Sequence, residues 1–215
     1  MIPTLLASFT YAHDHAAELG KALAVHVQLA GGALLVALVL AVPAGIWVAR
    51  RQGAGGGEAV MGFFNGLRVV PSIAVLFMLL PVLGIGARPA LVALAVLAGP
   101  PIVVNTYAAF RGVDHAVIEA ARGMGMTPGQ IWRRVELPLA LPVFLTGVRT
   151  AAVEVLASAT LADLVGAGGL GTFVFRGFAV NRPDILLVGA LPVAGLTVAF
   201  EALFAVAQRW LTRGR

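Results

Sequence analysis

The sequence predicts an all-α, polytopic membrane protein with about five spanning helices. Three observations lead there. Only 12% of the 215 residues are charged and 60% are hydrophobic, with a mean hydropathy of +0.94, whereas a soluble domain carries about 25% charged residues. The apolar residues, mostly Leu, Ala and Val, gather in uncharged runs long enough to cross about 30 Å of hydrocarbon. The arginines cluster at the ends of those runs, where they set topology. In lipid each span must satisfy its own backbone hydrogen bonds, and runs of this composition do so as helices.

The elements follow in order. Met1 to Gly20 has no early basic region and is interrupted by His13-Asp14-His15, so it does not read as a signal peptide. The first span starts near Leu23, runs through the uncharged Leu29 to Ala49 and closes at Arg50-Arg51. Gly53 to Gly57 is a short loop, and a second span is expected from Gly62 to Leu83. Gly84 to Arg88 forms a turn before the third span, Pro89 to Phe110. After a polar segment, the fourth span covers Leu139 to Leu161 and holds Arg149 and Glu154. A Gly-rich, polar stretch from Asp163 to Asp184 precedes the fifth span, Ile185 to Gln208. Pro43, Pro71, Pro81 and Pro192 fall within spans, where prolines mark kinks.

Composition also excludes. There is no cysteine, hence no disulfide framework, Cys-based zinc site or thiol nucleophile. The net charge of +5 would suggest nucleic acid in a soluble protein, but here it belongs to lipid-flanking arginines, so no nucleic-acid partner is expected. Nine basic residues fall on one side: Arg50, Arg51, Arg111, Arg122, Arg133, Arg134, Arg209, Arg213 and Arg215. Four fall on the other: Lys21, Arg88, Arg176 and Arg182. The richer side is expected to be cytoplasmic, which puts the N-terminus outside and the C-terminus inside.

The polar segment between the third and fourth spans is the most informative part of the chain. Asp114 can cap a helix beginning near His115, with Glu119 toward its positive end. Ala120 and Ala121 carry little bulk and allow close approach to the backbone. Gly123 and Gly125 end the helix or turn the chain. Thr127-Pro128 starts a second short helix with Ile131, Trp132 and Val135 on its apolar face, and Leu137-Pro138 is expected to stop it. The segment is longer than a plain connection needs.

The run Glu119-Ala120-Ala121, Gly125, Val135 and Leu137-Pro138 resembles the EAA loop of ABC-importer permeases, with Val135 where that family often has Ile. The resemblance covers roughly Leu29 to Gly171. Val70-Pro71-Ser72-Ile73-Ala74, Pro81 to Gly86, Asn105-Thr106, Gly123 to Thr127, Gly147 to Ala151 and Gly166 to Gly171 look like the permeases that import glycine betaine, choline and carnitine. His115, Val104 and Glu154 depart from that pattern. The resemblance implies a type I ABC-importer (MetI-like) permease fold. Residues 1–22 would be an N-terminal extracytoplasmic segment, and 23–210 the transmembrane domain, with its coupling loop at 111–138. It further implies that Glu119, Ala120, Ala121, Gly125, Met126, Val135, Leu137 and Pro138 couple the permease to a cytoplasmic ATPase dimer. An extracytoplasmic substrate-binding protein, a second permease copy or paralogue, and the lipid bilayer complete the expected partners. The expected place is the bacterial inner membrane.

Other features carry less. Gly166-x-Gly168-x-x-Gly171 fits the letters of a dinucleotide fingerprint but lacks the preceding strand and the βαβ unit. The sole lysine, Lys21, has no P-loop around it, so ATP hydrolysis is expected in a separate subunit and the chain is not expected to be an enzyme. No cofactor and no metal site are expected; His13 and His15 read as a hydrated surface pair. Arg149 and Glu154 are costly in hydrocarbon and lie about 140° apart on the helix, which disfavours an intrahelical pair. Glu154, Asn105, Thr106 and Ser72 are candidates for the translocation pathway, although helix–helix hydrogen bonding is the ordinary role of such polar groups. Two rival functions remain open: an ABC permease for another small solute such as an amino acid, and a secondary transporter driven by an ion gradient.

Overall fold

The computed structural model describes residues 2–51 and 56–212. Among them, all regular structure is helical. Four stretches are long and apolar enough to cross a membrane: Ala16–Arg50, Ala87–Arg111, Pro128–Val165 and Pro183–Arg209. A fifth is the pair Ala59–Leu67 and Ser72–Leu83, bent by 90° at a short break. The helices are α1 (Ile2–Asp14), α2 (Ala16–Arg50), α3 (Gly56–Leu67), α4 (Ser72–Leu83), α5 (Ala87–Arg111), α6 (His115–Gly123), α7 (Pro128–Ile131), α8 (Leu137–Ser158), α9 (Gly171–Ala179) and α10 (Pro183–Thr212). A π-helical segment (Trp132–Glu136) joins α7 to α8, and a 3₁₀ segment (Ala159–Val165) extends α8 at its other end.

Small residues build the core. Ala30, Ala33, Ala37 and Ala41 form a buried stripe at helical spacing along α2, against Ala90, Ala93 and Ala98 on α5. Spans have no hydrophobic drive toward one another in lipid, so close backbone approach and van der Waals contact hold them. The approach is closest where side chains vanish. A Cβ on Gly147 of α8 would lie 2.4 Å from Asn105 Cβ and 2.8 Å from the Pro101 carbonyl oxygen of α5.

The expected second span, Gly62 to Leu83, is not one helix. Between α3 and α4, the amides of Arg68, Val69 and Val70 bond to carbonyls three residues back. Pro71 then stands extended at φ −59°, ψ 132° before α4. Pro71 donates no hydrogen bond and pushes Val70 out of the helical region, so the helix ends and restarts at an angle. The helix that carries the first span begins at Ala16, so residues 22 and 23 lie inside α2. The N-terminal helix and the start of α2 are packed against the bundle: Tyr11 and Ala12 of α1 and Leu19 and Ala22 of α2 lie on Phe173, Ile185 and Val188. The Asp163 to Asp184 stretch contains α9, held against α10. The Gly53–Gly57 loop lies mostly outside the described residues, as do Arg213 and Arg215; α3 begins at Gly56.

Candidate functional site

The polar segment folds as its residues dictate up to a point. Asp114 caps α6 by accepting the Ala116 amide at 2.9 Å, and His115 lies 3.3 Å from Glu119 one turn on. Glu119 and Ala120 are exposed, while Ala121 is only 2% exposed and anchors the helix. After Gly123 the chain closes a Schellman turn. The Met126 amide reaches the Ala121 carbonyl at 3.2 Å and the Gly125 amide reaches that of Arg122 at 2.9 Å. Such a turn requires a left-handed residue, and Gly125 supplies it at φ +78°. No atom lies within 4 Å of where its Cβ would stand, so that position faces open space beside the exposed Met124.

Thr127 caps α7 through a capping box. Its Oγ1 accepts the Gln130 amide at 3.4 Å, and Gln130 Oε1 accepts the Thr127 amide at 2.8 Å. Gln130 was not anticipated; a Gln three residues after a cap Thr is the signal that names it. Leu137-Pro138 does not stop this helix, contrary to expectation. The chain passes through the π-helical segment directly into α8, and the Leu137 amide bonds back to Trp132. Pro138 has no amide to place, and the wider turn gives its ring room beside the carbonyl four residues earlier. The loop is therefore continuous with a span. Of the remaining candidates here, Met126, Val135 and Pro138 are half-buried and Leu137 is exposed.

Two helix ends hold this loop. Phe110 at the end of α5 stacks on Trp132 at 4.8 Å. Arg50 at the end of α2 lies 4.6 Å over the same indole and 3.3 Å from Glu136. Arg50, Arg111, His115, Arg122 and Glu136 line a cleft of about 550 Å³ behind the loop. This places three of the counted arginines at one end of the bundle.

The charges inside the spans find partners on other helices. Arg149 of α8 donates a closed hydrogen bond to Glu201 of α10. Glu201 escaped the sequence reading; two bases within spans, Arg68 and Arg149, call for two acids, and that balance points to it. Glu154 lies 3.6 Å from Arg68 at the break between α3 and α4. Asn105 donates to the Pro101 carbonyl of its own helix at 2.8 Å. Thr106 is fully buried, its Oγ1 without a hydrogen-bond partner among the described residues, at the point where a Cβ on Gly45 would come within 2.7 Å. Ser72 is half-buried in the first turn of α4. None of these four candidates lines any of four principal cavities among the described residues. His26, also unanticipated, is buried and donates from Nε2 to the Leu156 carbonyl at 3.0 Å, tying α2 to α8.

At the opposite end, Gly166, Gly168 and Gly169 take positive φ in a turn between the 3₁₀ segment and α9. No strand precedes them, so the dinucleotide fingerprint has no structural footing. Thr172 donates to Asp163 at 2.7 Å and Arg176 to Glu18 at 2.8 Å. The carboxylate of Glu18 holds Arg176, and that of Asp184 holds Arg182, still more firmly protonated than a free guanidinium.

Comparison with known proteins agrees with this geometry. The family described as binding-protein-dependent transport system inner membrane component matches residues 41–214. The choline transport system permease protein OpuBB of Bacillus subtilis (strain 168) is 39% identical over 87% of this chain and 85% of its own. The carnitine transport permease protein OpuCB of Listeria monocytogenes is 43% identical over 82% and 80%. Among solved structures, the MetNI methionine ABC transporter in an inward-facing form aligns with a TM-score of 0.78 at 25% identity, over 90% of this chain and 96% of that one. An amino acid ABC transporter aligns at 0.74 with 18% identity, over 94% and 97%, which speaks to fold alone. With its helical bundle, its EAA-type loop and relatives of this closeness, the chain belongs to the binding-protein-dependent transport family as a multi-pass membrane permease component of an ABC importer.

Proposed function

We propose that this permease imports quaternary-ammonium, betaine-type osmoprotectants by alternating access, driven by a separate ATPase dimer that grips the loop from Glu119 to Pro138. The observation that carries the coupling part is the surface around Gly125: Glu119, Ala120 and Met124 are exposed there, and Gly125 itself faces open space. A loop whose only task were connection would not need a Schellman turn and a capping box to present such a surface. The cargo part rests on the choline, carnitine and glycine betaine relatives.

In this reading the ATPases close on ATP and draw the loops of two permeases together. Because the second loop helix runs through the π-helical segment into α8, that motion reaches the span directly. The interface opens outward to receive cargo from a binding protein, and hydrolysis reverses it. The loop and Arg50, Arg111 and Arg122 lie in the cytoplasm, with the N-terminus outside. Two copies of this chain, or this chain and a paralogue, enclose the path, and Ser72, Asn105, Thr106 and Glu154 are its polar candidates.

Reconstitution of the permease with its ATPase and binding protein in proteoliposomes tests this. Uptake of labelled glycine betaine or choline should require both partners and ATP. Uptake that a protonophore abolishes while ATP is held constant would instead identify a gradient-driven carrier.

A further inference from the structure

Among the described residues, two ion pairs join bases and acids within the spans, and they differ. Arg149 and Glu201 make a closed hydrogen bond. Arg68 and Glu154 stand 3.6 Å apart and make no side-chain hydrogen bond among the described residues, although a guanidinium offers five donors and a carboxylate about four acceptor positions. Both are partly exposed, at 43% and 36%. Glu154 stands on α8, and Arg68 follows the last residue of α3, beside the 90° bend between α3 and α4.

The chain breaks beside the pair, where Arg68 to Pro71 is irregular and Val69 is 81% exposed. Ionisable groups within membrane helices face the bundle interior or a water-filled cavity. A partly exposed, unclosed pair of this kind suits the wall of an aqueous path.

We propose that Arg68 and Glu154 together receive zwitterionic quaternary-ammonium cargo within the membrane. The Glu154 carboxylate meets the ammonium end, and the Arg68 guanidinium meets the cargo carboxylate. In glycine betaine the ammonium nitrogen and the carboxylate oxygens are three covalent bonds apart, on the order of 3 Å, comparable to the 3.6 Å between the protein's charges. The pair therefore presents a dipole of matching length and opposite sense. The open geometry matters: a closed pair would have to break before either group could turn to the cargo. A purely cationic cargo such as choline would use Glu154 alone. This assignment rests on the betaine-type reading above and adds to it a recognition feature of this chain itself, since Glu154 departs from the pattern that the betaine-type permeases share.

The complete importer in proteoliposomes, assayed with labelled glycine betaine and choline, separates the possibilities. If wild type carries neither, the cargo reading itself fails. If it carries both, Glu154→Gln should lower both by roughly ten-fold or more, and Arg68→Gln should lower glycine betaine uptake by roughly ten-fold more than choline uptake. If it carries choline alone, only Glu154→Gln should abolish uptake; if glycine betaine alone, both variants should. An equal loss of both cargos in Arg68→Gln, or unchanged uptake in Glu154→Gln, overturns the assignment. So does full rescue of uptake by the exchange Arg68→Glu with Glu154→Arg, which restores a merely structural pair. Should these variants fail to assemble, Val69→Cys in the cysteine-free chain serves instead. In the assembled permease–ATPase complex, a charged maleimide should label it, and glycine betaine should slow the labelling while sodium acetate does not. Absence of labelling, or labelling indifferent to glycine betaine, overturns the proposal equally.

Discussion

At Gly147 the separation of two spans is set by an absent methyl group. A Cβ there would press to 2.8 Å on the Pro101 carbonyl oxygen, which is backbone and cannot rotate away. Gly147→Ala should therefore lower the thermal midpoint of the purified complex, while Gly125→Ala, which meets open space, should leave it nearly unchanged apart from the left-handed backbone cost of about 1 kcal/mol. Gly125→Asp is the sharper test of function. It adds bulk and charge where the chain makes no contact of its own, so insertion should survive while ATP-driven uptake and ATPase co-purification fall; normal uptake would remove the docking reading. The Arg149–Glu201 pair is different in kind. Glu201→Gln should reduce the yield of assembled permease by leaving Arg149 uncompensated, and replacing both by Met should recover it, since apolar substitution of a whole pair is tolerated far better than loss of one partner.

Among the elements, the two loop helices were largely legible in the residues, because capping is local chemistry. Asp114, Gly125, Thr127 and Pro128 each act within a few positions of themselves, and each does what its type predicts. The π-helical join was not legible. Pro138 reads as a stop when only propensity is considered, yet Trp132 stacked on Phe110 and Arg50 holds the turn in a wider form. Trp132→Ala should loosen this hold; faster amide exchange across 128–137, without change in the core of α5, is the expected outcome. The break at Arg68–Pro71 was missed for a related reason. Uncharged residues on both sides preserve the hydropathy of one span, and hydropathy carries no information about direction.

For the whole molecule, the arginine count placed Arg50, Arg111 and Arg122 on one side, and they line one cleft. Which side that is can be read by labelling, since the chain has no cysteine of its own. Met124→Cys should react with an impermeant maleimide only from the cytoplasmic face, and Phe178→Cys, at another strongly exposed position, only from outside. The reverse pattern would invert the proposed topology and detach the loop from any cytoplasmic ATPase.

By itself, the sequence determined the solvent, the helical class, the approximate spans and the loop. Each depends on composition or on contacts between near neighbours along the chain. Tertiary structure alone decided which charge meets which: Arg149 with Glu201, Arg68 with Glu154, Arg50 with Glu136. It also decided that the second span is broken and that the loop runs on into α8. Those outcomes turn on distances between residues far apart in the chain, and on backbone direction at a proline, neither of which periodicity or hydropathy records.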